Sequence, residues 1–187
     1  MKGLMTLIGT SATRPGDAAQ QLLALKLGRE PALALVVLAV IATVFVLFAL
    51  SGGAAIPLVP ALEPMSPMIA ALFLLCSTII MGYAIYFTGQ AMGGTGTLPG
   101  SLVVVGWLQV LQMVAIVVQS VAITLSPTVG GLLGLAITIG LIWVLLSFID
   151  VLHGFGSLGR AGLLLLFAIV GIGLGLTLIL GLIGVGL

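Results

Sequence analysis

The sequence predicts an all-α, polytopic membrane protein with five transmembrane helices and an amino-terminal interfacial helix. Three observations lead there. Five long apolar stretches fill most of the 187 residues. Hydrophobic residues make up 61% of the chain and charged ones 5%, with a mean hydropathy of +1.47, which leaves too little polar surface to coat a water-soluble globule of this size. All 5 Lys and Arg residues also fall on one side of the membrane that those stretches imply.

A bilayer core of about 30 Å takes roughly 20 apolar residues as a helix. Candidate spans lie at about 32–50, 67–88, 101–125, 128–149 and 161–185, and none carries a charge in its interior. Pro31 stands just ahead of the first span, and Pro67 and Pro127 open the second and fourth, where a helix's first turn tolerates proline. The chain therefore divides into an amino-terminal segment, 1–30, and a five-helix domain, 31–187.

Lys2, Arg14, Lys26 and Arg29 precede the first span, and Arg160 lies between the fourth and fifth. An odd number of crossings places them on one face, and the positive-inside rule makes that face cytoplasmic, with the C-terminus outside. The 51–66 loop, whose only charge is Glu63, then lies outside as well. Met1 to Thr10 holds an apolar patch broken by Gly3, Thr6 and Gly9, with no small-residue cleavage site, so no cleaved signal peptide is expected. Between Pro15 and Gly28, Asp17 favours a helix start and Gly28 an end. That helix is too short to cross. Leu22, Leu23, Leu25 and Leu27 predict that it lies at the cytoplasmic interface, with Lys26 reaching toward the headgroups. Abundant Ala, Gly, Leu and Val with scarce Lys suggest a GC-rich bacterial genome, hence the cytoplasmic (inner) membrane. Helical rather than alternating patterning argues against the outer membrane.

The helix faces carry the remaining information. In the third span Gln109, Gln112, Gln119 and Ser120 project within about 100° of one another, which should turn them toward protein. Interhelical hydrogen bonds, at about 0.6–2 kcal/mol each, are one use for such a stripe, and a polar path is another. Gly130 with Gly134 and Gly171 with Gly175 recur at the interval that lets helix backbones approach, predicting a packing face for a compact monomer or for an assembly. Asp150 and His153, three residues apart at the end of the fourth span, share a face and can touch.

Several chemistries are not expected. Two ligands fall short of a metal site, and no cofactor is anticipated. Cys76, alone in the second span, reads as a small buried hydrophobe. The Gly89–Gly100 loop lacks the Lys-Ser/Thr ending of a phosphate loop and reads as a turn. No nucleophile has a recognisable base and there is a single histidine, so no catalytic residues are assigned. A net charge of +1 with scattered basic residues excludes a nucleic-acid surface.

Three segments give a resemblance. They are Pro15 with Leu22-Leu23-Ala24-Leu25, the glycine-rich Phe87–Pro99 loop leading into Gly106-Trp107-Leu108-Gln109, and Asp150-Val-Leu-His153-Gly154-Phe155 with Gly159-Arg160-Ala161. In these the chain resembles the bacterial branch of the Yip family, named for Ypt/Rab-interacting proteins. The resemblance implies a five-span helical domain with a cytoplasmic N-terminus, and a cytoplasmic corner of His153, Gly154 and Arg160. Eukaryotic relatives are associated with Rab GTPases, vesicle trafficking and membrane shaping. The loop here carries Thr95 and no charge, where many members are more basic, and the long polar amino-terminal region of eukaryotic members has no counterpart, so Rab recognition is not carried over.

The expected function is a non-enzymatic membrane protein that organises membrane or binds another membrane protein, as an accessory subunit of a larger complex. Its expected partners are membrane lipids and either another membrane protein or a second copy of itself. The alternative is a small transporter or channel along the glutamine stripe, with Asp150 and His153 coupling it to protons. A further alternative is lipid binding or scrambling at the Arg160 corner.

Overall fold

Hydroxyl side chains and prolines set where the long helices begin. In the computed structural model, which describes residues 2–58 and 63–182, the chain forms α1 (Lys2–Thr13), α2 (Pro15–Ala24), α3 (Arg29–Leu50), α4 (Pro67–Ala91), α5 (Leu98–Leu125), α6 (Pro127–His153) and α7 (Leu158–Leu182). The Ser66 hydroxyl accepts the Ile69 N–H at 3.4 Å, Thr97 that of Gly100 at 3.2 Å and Ser126 that of Val129 at 3.5 Å. Each cap is followed at once, or after one residue, by Pro67, Pro99 or Pro127, whose missing N–H would have had no partner there. Pro31 likewise falls inside the first turn of α3.

The five helices α3 to α7 are 22, 25, 28, 27 and 25 residues long, and all are apolar enough to cross a bilayer. The last expected boundary, at residue 185, lies outside the described residues. Helix α5 is the axis of the bundle: half of its apolar stretch is buried by protein, against 17% for α4 and for α7. It packs on α3, α6 and α4, while α7 lies against α4 and α6. Val36, Ile85, Leu102, Val104, Ile149 and Leu164 form the core between them. Gly82 and Gly106 let this happen, since a Cβ there would stand 3.0 Å from Leu102 and 3.1 Å from Val36. Between α3 and α4, Ile56 and Met65 exchange two backbone hydrogen bonds at 2.8 and 2.9 Å, pinching the loop.

The amino-terminal segment contains two helices where the sequence predicts one. The added helix, α1, is tied to the bundle by Trp107, whose Nε1–H donates to the Ser11 hydroxyl at 3.0 Å with both residues buried. Helix α2 ends at Ala24, four residues before the expected Gly28. Ala18, Ala19 and Leu22 are buried where α2 meets α5 and α6, whereas Leu25 is 62% exposed. Two alanines allow close helix approach, so part of the expected membrane-facing surface of α2 is used against protein. The chain leaves α2 through Lys26, whose φ of +44° is the only positive value among described non-glycine residues. A side chain in that conformation costs about 1 kcal/mol relative to glycine.

Two hydrogen bonds show which helix ends lie together. Arg29 Nη2 donates to the Tyr83 hydroxyl at 3.0 Å, joining the start of α3 to the last turns of α4. The Thr95 N–H donates to the His153 carbonyl at 3.1 Å, joining the start of α5 to the end of α6. Lys26, Arg29 and Arg160, on the turn leading into or the first turn of their helices, therefore share one end of the bundle, beside the Tyr83, Tyr86 and Phe87 ring cluster. Cys76 differs from expectation. It is exposed on the wall of a groove between α4 and α7.

Candidate functional site

At the basic end, α6 stops at His153 because Gly154 turns left-handed, with φ +67°, a conformation that strains any residue with a Cβ. The Gly154 and Phe155 N–H groups both donate to the Asp150 carbonyl, at 2.8 and 3.2 Å. The Asp150 carboxylate accepts the Ser157 N–H at 2.8 Å and so fastens the turn into α7. This corrects the expectation that Asp150 and His153 touch. Both side chains leave the same helix face, but the reversal at Gly154 brings a backbone donor to the carboxylate, while the imidazole turns into the bundle.

The imidazole enters a space made by glycines. His153 is 2% exposed and lies against Gly89 in the last turn of α4 and against Gly94 and Gly96 in the α4–α5 loop. A Cβ on Gly94 or on Gly96 would stand 2.6 Å from Nδ1, and one on Gly89 would overlap the ring outright. Phe155 stacks on the ring, with centroids 5.4 Å apart and planes 17° from parallel. The loop is held in this shape by the Gly94 N–H donating to Gly89 O at 2.8 Å, Gln90 Nε2 donating to Gly96 O at 2.6 Å, and the Thr95 backbone bond to His153. The ring thus locks the α4–α5 loop to the α6–α7 corner.

Neither ring nitrogen has a hydrogen-bond partner; the Ile85 backbone lies toward the ring without meeting hydrogen-bond geometry. Leaving a buried imidazole N–H unpaired costs about 1–3 kcal/mol, so the tight fit and the stacking must offset it. Among the described residues no group of three His, Cys, Asp or Glu side chains could hold a metal. Arg160 is exposed on the first turn of α7 and makes no salt bridge among the described residues.

The other sequence-selected residues have separate surroundings. Gln109 is buried, and its Nε2 donates to the Thr43 hydroxyl of α3 at 3.2 Å; that hydroxyl in turn donates to Ala39 O at 2.8 Å. Gln119 is half-buried with its amide against Gly134 of α6, Gln112 is exposed, and Ser120 donates to its own helix at Ile116 O, 2.8 Å away. The three glutamines thus reach α3, the outer surface and α6 respectively. Gly130 is crowded by Ile123 of α5, whose Cα would lie 2.7 Å from an added Cβ, whereas Gly171 and Gly175 have nothing within 4 Å of one. Gly89, Gly94 and Gly96 were not singled out by sequence reasoning as partners of His153. No local pattern marks them, since the crowding comes from a helix about sixty residues away.

Neither curated proteins nor solved structures gave a match to this chain. The family model of the Yip1 domain matches residues 8–180, from the middle of α1 through nearly all of α7. With its five apolar helices and with that match covering most of its length, the chain belongs to the Yip1 domain family.

Proposed function

We propose that this chain is a non-enzymatic protein of the bacterial cytoplasmic membrane that binds a second membrane protein through α7, acting as an accessory or scaffold subunit. Yip1 family members are generally non-enzymatic membrane trafficking proteins that interact with membrane proteins. One contrast carries the reading to α7. Gly82, Gly106, Gly130 and Gly134 each have a neighbouring side chain within 3.5 Å of where a Cβ would stand, so at these four positions a small residue marks a helix contact. Gly171 and Gly175, one helical turn apart, present the same kind of face with open space before it, beside exposed Leu174 and Leu178. A neighbouring helix approaching that face would find the close-packing surface that the chain uses elsewhere. The gathering of Lys26, Arg29 and Arg160 at one end supports a cytoplasmic placement of that end.

The test is native mass spectrometry of the protein extracted gently from its own membrane, beside Gly171→Leu. Loss of a reproducible protein partner in the variant, with thermal unfolding unchanged, is the expected result. A lone chain in the unmodified protein, or a partner retained equally by the variant, would overturn it, and a second copy as the sole companion would replace the partner by self-association. A transport path has less support, because the Gln109 amide is engaged by Thr43 and the Gln119 amide rests on Gly134.

A further inference from the structure

An open cavity of about 630 Å³ lies at the basic end, between the end of α2, the start of α5 and the end of α6. Leu22, Leu23, Leu27 and Leu152 give it an apolar wall. Lys26 and the hydroxyl-bearing Thr95 and Thr97 also line it, and no carboxylate does. The groove walled by α1, α5 and α6 and the one between α4 and α7 have no charged residue on their walls, so the acyl chains of a bilayer suffice to cover them.

Lys26 is placed here at a cost in backbone strain. It follows α2 where a left-handed residue is required, and glycine would adopt its φ of +44° freely. Its side chain is exposed and forms no salt bridge among the described residues. Thr95 Oγ1 already donates to His153 O at 3.4 Å, but Thr97 Oγ1 accepts the Gly100 N–H at 3.2 Å, which leaves its own proton free to donate. The first turn of α5, directly behind Thr97, adds the partial positive charge of a helix N-terminus.

We infer that this cavity binds one anionic phospholipid of the surrounding leaflet, its phosphate held by the Lys26 ammonium and the Thr97 hydroxyl and its glycerol and upper acyl carbons lying on Leu22, Leu23 and Leu27. The charge complements a lipid monoanion, and the apolar wall matches an amphiphile better than a free ion. The site is independent of the α7 surface, because α7 contributes nothing to its wall.

The test adds dioleoyl phosphatidylglycerol or dioleoyl phosphatidylcholine to delipidated full-length protein and counts retained lipid by native mass spectrometry. One phosphatidylglycerol per chain is expected, held more tightly than phosphatidylcholine. Lys26→Gly relieves the backbone strain and should melt no lower than the parent, yet bind phosphatidylglycerol about fivefold more weakly, while Lys26→Arg retains it. Equal binding of the two lipids, or binding unchanged in Lys26→Gly, would overturn the inference. Displacement of the lipid by millimolar inorganic phosphate would also overturn it, by making the ligand a free anion.

Discussion

The two halves of the bundle use glycine in opposite ways. At the basic end Gly89, Gly94 and Gly96 have no room for a side chain, because His153 fills the space before each of them. Along α7, Gly171, Gly173 and Gly175 have nothing before them. The first set fixes a corner in which backbone hydrogen bonds and one stacked ring determine the shape; the second leaves the surface of α7 open around Gly171, Gly173 and Gly175. A glycine count would merge the two. What separates them is a neighbouring group of the same chain: the crowded glycines are part of its own packing, and the open ones are not.

That contrast can be broken most directly at the corner. Gly89→Ala drives a methyl group into the imidazole and should lower stability by about 2–3 kcal/mol, read as a fall in thermal unfolding temperature in detergent. Adding His153→Ala should recover much of the loss, and strict additivity of the two changes would show that the ring and the glycine do not share the space. A middle-sized effect belongs to the bundle axis. Gln109→Leu removes the bond to Thr43 and should cost about 1 kcal/mol by the same measurement, and an unchanged protein would mean that the amide contributes no net stability. The smallest effect belongs to α7: Gly171→Ala should shift stability by less than about 1 kcal/mol, in the stabilising direction favoured by helix propensity. A large loss there would mean that the open face is already packed in the isolated protein.

The long helices were legible because a crossing helix needs an uninterrupted apolar run, a signal that Arg29–Leu50 or Pro127–His153 supplies without reference to any other part of the chain. Helix α1 was not, since its 12 residues are interrupted by glycine and threonine and it is fixed by a tryptophan 96 positions away. The stretch after Pro15 was recognised as helical, but its burial depends on Ala18 and Ala19, which look the same whether a helix meets lipid or protein. Spacing placed Asp150 and His153 on one face correctly and still misjudged their contact, because the left-handed turn at Gly154 offers the carboxylate a nearer donor. Likewise the glutamines share an angular sector on α5, yet positions up to ten residues apart meet different neighbours as the helix passes α3 and then α6.

The bond from Trp107 to Ser11 sets an order on biogenesis. Ser11 is synthesised 96 residues before its partner, and α2 docks on α5 and α6, which also come later. At about 5–20 residues per second, the amino-terminal pair must wait roughly 5–20 s for its docking surface. During that interval the apolar faces of α1 and α2 are uncovered, and the translocon, a chaperone or the membrane surface has to shelter them. The last-made partners therefore decide when the first-made segment reaches its final place.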